Sequence, residues 1–370
     1  MVTPDIGVDI DDREARLDDY LAETGNEAVW FGRPAGFAWL TGGSNWVDAA
    51  ADVGDAAVGY AGDGDWTVVT NNIEAERIAA EELPAGLSMS VAADDWYDAG
   101  LAESVAARSP TPAAADFDVP GLGGLNPTPL RLRLADSDVE RYRALGTEAA
   151  VALESVCREL EPGDTEHEVA AAVRIALASR NIDAPVVLVG GSERAQEYRH
   201  PTPTDAPLGD YALVVLTARR AGLHASLTRT VAFDPPGWLA ERHAAAQRVE
   251  TRALAATRSV AREGGTAGEV FDEIREAYAD EGYEGEWRHH HQGGATGYAG
   301  REWFAEPGHD GPVAADAAYA WNPTVQGAKS EDTAVVRDEE VEVLTSTGEW
   351  PTDEVTAGGL TLDRPAVYRP

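Results

Sequence analysis

Apolar positions change their spacing about a third of the way along the chain, and the change separates two differently built parts. Residues 12–24 form a short amphipathic helix pattern. Apolar stretches follow at 28–31, 37–40, 56–60 and 66–70, separated by Gly, Asp and Asn turn signals, and read as strand-like pieces. Helices are expected at 73–83 and 98–108. Ser109-Pro110-Thr111-Pro112 and the alanines after it mark a loop, and residues 120–129 are rich in Pro and Gly. The first third therefore reads as a mixed α/β domain over residues 1–134.

Residues 135–370 begin with a long helix from about Asp136, stopped by Pro162-Gly163. Thr165-Glu166-His167-Glu168 has the form of a capping box and opens a helix to about 179. Strands are expected at 186–189, 212–216 and 223–233, and long helices at 239–262 and 267–280. The last ninety or so residues alternate short apolar runs with Gly, Pro and Asp, the pattern of an antiparallel sheet. Helices packed on one antiparallel sheet make this part an α+β domain.

Charge narrows the partners. The 370 residues carry 29 basic and 65 acidic side chains, a net charge of −36, which repels nucleic acid and anionic membranes. Lys329 is the single lysine of the chain. An acidic surface almost without lysine suits concentrated salt, where a Debye length of about 3 Å screens self-repulsion. Cys157 alone excludes an intramolecular disulfide, and its Ala/Leu/Val surroundings predict burial. No run nears the ~18 apolar residues of a membrane span, and the acidic N-terminus is unlike a signal peptide. A cytoplasmic setting is expected.

Four polar segments stand out from the solvated helix faces: Glu197-Tyr198-Arg199-His200-Pro201, Ser226-Leu227-Thr228-Arg229, His289 to Glu302, and Trp321 to Asp332. On a strand, His289, His290 and His291 alternate faces, so His290 inward implies its neighbours outward. Together with Phe37-Ala38-Trp39-Leu40-Thr41-Gly42, similar to a strand-ending "YLTG", these segments resemble the pita-bread hydrolases in order and local text. That family holds Xaa-Pro aminopeptidases, prolidases, methionine aminopeptidases and creatinase. The resemblance implies a creatinase-type N-terminal domain over 1–134, a pita-bread domain over 135–370, and pairing as a homodimer.

For the family's peptidases the resemblance also implies two divalent ions on two Asp, one His and two Glu. Here those positions carry Val215 or Thr217, then Ser226, Gly294, Asn322 and Glu331. One carboxylate supplies neither the charge nor the ligand count, so no metal and no other cofactor is expected. Nor is one strand expected to aim consecutive imidazoles at a single ion. The pocket positions resemble creatinase, which cleaves a C–N bond without metal. His200, His290 and Glu331 are the expected catalytic residues. Ser226, Arg229, Arg301, Glu302, Asn322 and Lys329 are expected to bind substrate, with Arg229 forking a carboxylate. The expected activity is metal-independent hydrolysis of a C–N bond in a small amino-acid-like or peptide substrate. The alternatives are a non-catalytic peptide- or protein-binding pseudoenzyme and a metal-dependent Xaa-Pro aminopeptidase.

Overall fold

The first third of the chain folds on helix α1 (Ile10–Thr24) and strand β1 (Ala28–Phe31), in a computed structural model that describes residues 7–84 and 89–370. The first six residues of the expected N-terminal domain, with its expected lack of a leader, lie outside the described residues. Asp9 caps α1 by accepting from the Asp12 amide, and Gly25 ends it in the left-handed conformation. Residues 37–40 are helical, within α2 (Pro34–Thr41), and so correct the strand-like reading. Pro34 starts this helix, Gly42 ends it at φ 73°, and residues 36–41 are buried, which is why no amphipathic pattern betrays it.

Strands β2 (Ala56–Tyr60), β3 (Trp66–Asn71), β4 (Ser90–Asp94), β5 (Ala113–Ala115) and β6 (Gly123–Gly124) complete a sheet in the order β4-β3-β2-β1-β5-β6. The alanines expected in a loop are β5, paired in parallel with the central β1. Ala115, the register partner of Trp30, shares a core with Trp30, Phe117 and Val119, where bulk has already been supplied. Trp30 likewise covers its cross-strand partner Gly59, where a Cβ would lie 2.6 Å from the indole. Helix α3 (Leu101–Ala106) adds Val105 to the same core.

Helix α4 (Asp136–Cys157) leads into the second unit, which runs through Val139–Pro370. The Thr165–Glu168 capping box opens α5 (Glu166–Ala178) as expected, with each residue's side chain bonded to the other's backbone amide. Strands β7 (Asp183–Gly191), β8 (Tyr211–Arg220) and β9 (Leu223–Ala232) form one antiparallel sheet, with the short helix α6 (Ser192–Glu197) after β7. A two-residue turn at Ala221-Gly222, both at positive φ, sets the β8–β9 register.

Helices α7 (Leu239–Glu263) and α8 (Ala267–Asp280) pack on each other. A second sheet, β11-β10-β12-β15-β16, follows from β10 (Gly293–Thr296), β11 (Trp303–Phe304) and β12 (Ala317–Trp321). Next come the hairpin β13 (Thr324–Val325) and β14 (Ala328–Lys329), then β15 (Asp332–Val336) and β16 (Val341–Val343). Trp303, Tyr319 and Trp321 of this sheet share a core with Val249, Phe271 and Tyr278 of the two helices. Strands β17 (Thr352–Ala357) and β18 (Leu360–Pro365) close the chain against α7. Cys157 is buried, as its surroundings predict, and no described helix is long and apolar enough to cross a membrane.

One buried carboxylate in the first unit is only half satisfied. Asp116 Oδ1 accepts from the amides of Gly32 (2.8 Å) and Arg33 (3.1 Å), while Oδ2 has no partner. Burial outweighs those amides and raises its pKa to about 6. The folded state therefore binds a proton that the unfolded chain releases near pH 4, so stability falls as pH rises from about 4 to 6. Asp116→Asn keeps the acceptor without the charge. Unfolding followed across that window should lose a slope worth up to about 3 kcal/mol; an unchanged slope would refute the assignment.

Candidate functional site

The beginning of β15 decides what faces the cavity of the second unit. Glu331 and Asp332 are adjacent, so their side chains leave the backbone on opposite sides. Glu331 faces a cavity of about 370 Å³ bounded by β7, β8 and the loops around β10, β12 and β14. Its carboxylate, 3% exposed, meets Lys329 Nζ at 2.8 Å and Arg301 Nη2 at 3.2 Å, and accepts from the Thr228 hydroxyl at 2.9 Å. Burial alone would raise its pKa; Lys329, Arg301 and these hydrogen bonds reverse that and hold it below the ordinary glutamate range. It is a fixed anion.

Asp332 enters a different environment. Its Oδ1 accepts from Arg229 Nη1 (3.0 Å) and Thr345 Oγ1 (2.7 Å), and its Oδ2 from Arg364 Nη2 (2.8 Å). Arg229 Nε donates to Glu154 at 3.0 Å, and Arg364 pairs with Glu250. This corrects the placement of Arg229. It alternates with Thr228 on β9 and spends its guanidinium in the buried ionic network, so no fork is left for a substrate carboxylate.

Arg301, by contrast, lines the cavity. Its Nη1 donates to Ser226 Oγ at 3.3 Å, and that hydroxyl shares a 2.9 Å hydrogen bond with Thr217 across the β8–β9 pair. Glu302 is a second correction: Oε1 accepts from the Ala299 amide at 3.1 Å, and the residue does not line the cavity. Asn322 does line it, 3% exposed, with a side-chain oxygen that has no hydrogen-bond partner. At Gly294 a Cβ would lie 2.1 Å from the Trp303 carbonyl, because β10 and β11 pair there. The backbone has closed over that position.

His200 and His291 line the facing wall, and His290, expected as catalytic, does not line the cavity but packs against both. His200 follows α6 on a loop tied down by Glu166, which accepts from the Gly191 and Thr204 amides, the Thr204 hydroxyl and Arg194. An Arg199–Glu286 ion pair joins this loop to the 3-10 turn Glu286–His289. His290 Nε2 lies 3.0 Å from His200 Nε2, and the His290 and His291 rings stack at 4.4 Å. The expected alternation of His289, His290 and His291 fails, because His289 ends the 3-10 turn and the ladder starts only at Gly293. Gln292 shapes the intervening stretch: its Nε2 donates to the His290 carbonyl at 2.6 Å, and its Oε1 accepts from Tyr278.

Burial, then Lys329, depresses the pKa of His200, whose imidazole keeps a lone pair near neutral pH. Burial also depresses His290, and lowers His291 to about 4 with help from Arg301. His291 and His224, both cavity-lining, are absent from the sequence-derived site. The run of three histidines was the available signal for His291; His224 carries none beyond its place on β9. Pro185, Val186, Leu188, Val215 and Phe304 supply an apolar side to the cavity.

A sequence profile described as metallopeptidase family M24 matches residues 140–338. No curated protein matches the full sequence significantly. Among solved structures, dipeptidase PepE from Mycobacterium ulcerans aligns at a TM-score of 0.70 and 21% identity, covering 90% of this chain and 95% of that one. Prolidase from Pyrococcus furiosus aligns at 0.71 and 18% identity, over 89% of this chain and 99% of that one. The N-terminal domain of FACT complex subunit SPT16 from chickpea aligns at 0.65 and 12% identity, covering 92% and 97%. The α+β architecture of residues 139–370 is thus the pita-bread fold.

Two substitutions separate the cavity from the network behind it. Arg229→Met strands Asp332 and Glu154 in the interior and should lower unfolding free energy by about 3–5 kcal/mol. It should leave the affinity of a cavity ligand, measured by calorimetry in molar KCl, unchanged. Lys329→Met should also destabilise, by less once combined with Glu331→Gln, because the second change removes the stranded anion. A strictly additive double variant would break the proposed pairing.

Proposed function

The chain belongs to metallopeptidase family M24, and on that premise we propose that it hydrolyses a C–N bond in a small peptide or amino-acid-like substrate without the family's dinuclear centre. The observation that carries this reading is the pairing of Glu331. It is the one carboxylate at the five positions where the family resemblance places ligands, and both its oxygens face cations, Arg301 on one and Lys329 on the other. The companion groups, Thr217, Ser226 and Asn322, are neutral, and Gly294 offers no side chain. That donor set does not fit two divalent ions, which exchange hydration for several anionic oxygens.

Two buried cations against one carboxylate leave the polar end of the cavity with an excess positive charge. A substrate carboxylate, or the oxyanion formed at a carbonyl, fits it, and Asn322 presents its free oxygen to a substrate N–H. The apolar wall from Pro185 to Leu188 and Phe304 receives a small side chain. His200, neutral at the mouth, accepts a proton from attacking water. The water oxygen bonds the carbonyl carbon, the C–N bond breaks, and the proton passes to the leaving nitrogen. His290, at hydrogen-bond distance, orients His200 and shares its proton.

A second reading, peptide binding without turnover, is favoured by one feature: Glu331 is held as a fully paired anion and has little basicity to lend. We also propose a homodimer in a salt-rich cytoplasm, on the strength of the family resemblance and of the net charge of −36.

Dipeptides, guanidino acids and amino-acid amides, screened by thermal shift and product analysis in molar KCl, test the activity. One compound should be both stabilising and consumed; His200→Asn should then lower kcat about 10²-fold or more, with KM little changed. Stabilisation without consumption decides for the binding module. Stability should rise steeply from low to molar KCl as self-repulsion is screened, whereas a flat salt response would remove the salt-rich setting.

A further inference from the structure

Among the described residues, His200, His290 and His291 place one ring nitrogen each within 4.8 Å of one another, two of them 3.0 Å apart. Four-coordinate ions of the zinc class hold imidazole nitrogens at about 2.0–2.1 Å, which sets neighbouring ligand atoms about 3.3 Å apart. The His200–His290 pair is already near that spacing, and His291 stacks beside His290. Closing the triangle takes a shift of about 1.5 Å and a rotation of the His291 ring out of its stack on His290, because an imidazole holds an ion in its own ring plane. Two lone-pair nitrogens at 3.0 Å repel unless a proton or a cation stands between them. The backbone beneath is fixed independently of any ion, by the Gln292–Tyr278 and Gln292–His290 hydrogen bonds and by Glu166 under the His200 loop.

We propose that these three histidines are a binding site for a single borderline divalent cation of the zinc, cobalt or nickel type, separate from the five positions of the family's dinuclear centre. Three neutral imidazoles without a carboxylate or thiolate select that class over Mg²⁺, Ca²⁺ or Mn²⁺, which require oxygen donors. His200 and His291 are exposed at the cavity mouth, so the ion enters from solvent. Its fourth position opens into the cavity, where Lys329 and Arg301 make an anion the favoured fourth ligand. If the hydrolase reading holds, on which this clause rests, the ion takes the lone pairs used for proton transfer. Zinc is then an inhibitor, and metal binding and turnover exclude one another.

The test uses untagged full-length protein, stripped with chelator and titrated with Co²⁺ in molar KCl containing excess Mg²⁺. The salt and Mg²⁺ occupy the acidic surface and leave the imidazoles free. The expected result is one Co²⁺ per chain with the intense visible absorption of a four-coordinate ion, displaced by an equivalent of Zn²⁺. His291→Ala, at an exposed position, should weaken binding at least tenfold, and His290→Ala should abolish the band. His289→Ala, outside the triad, should change neither. If His290→Ala does not fold, the His291→Ala and His200→Ala titrations carry the same test. Absence of the band, several weak equivalents, or unchanged affinity in His291→Ala would overturn the site. The spectrum reports metal binding whether or not a substrate is ever found. A protein that binds cobalt but hydrolyses nothing rejects the hydrolase alone, and one that hydrolyses but binds no cobalt rejects this site alone.

Discussion

A carboxylate sealed from water must be answered by cations close at hand, and Glu331 is where that requirement organises the second unit. Lys329 reaches it from the preceding strand, Arg301 from the segment between β10 and β11, and Thr228 from β9. Three elements far apart in sequence are thus drawn to one point. The same requirement operates behind it: Asp332 is held by Arg229 and Arg364, which in turn engage Glu154 and Glu250. Two layers of charge, back to back across one strand, fix β9 and β15 with little tolerance for sliding. Removing a single partner leaves an uncompensated buried charge, which costs more than any one pair contributes.

Against this rigid side, the histidine wall hangs on two polar clamps. Gln292 is fully buried and ties the His290 backbone to Tyr278, while Glu166 gathers four donors from the loop leading to and from His200. Neither clamp touches the cavity. Each holds a stretch without ladder hydrogen bonds in one conformation, so that imidazoles on separate loops meet at 3.0 Å. The result pairs a positively charged floor with a neutral, lone-pair-bearing wall. A chain with a net charge of −36 is therefore locally cationic in its pocket, which favours small anionic ligands that its outer field would repel.

Local patterns along the chain determined much of this protein. The Thr165–Glu168 capping box, the helix Ala267–Asp280 and the strand Ala28–Phe31 follow from spacing and capping, which act within a few residues. The family resemblance grouped His200, Ser226, Arg229, His290, Glu302, Asn322, Lys329 and Glu331, of which His200, Asn322, Lys329 and Glu331 line one cavity. Patterning failed where packing overrode it. Residues 36–41 are buried and show no helical stripe, and three alanines with no bulk of their own became a strand paired beside the Trp30 strand. Which way a side chain points was likewise undecided by spacing. Arg229 turned to the network because β9 alternates, and His291 joined His290 because the chain there is not yet a strand. Composition, capping and motif order are local properties, carried by the sequence itself. The facing of each charge depends on partners from a hundred residues away, and only the tertiary structure brings those partners within reach.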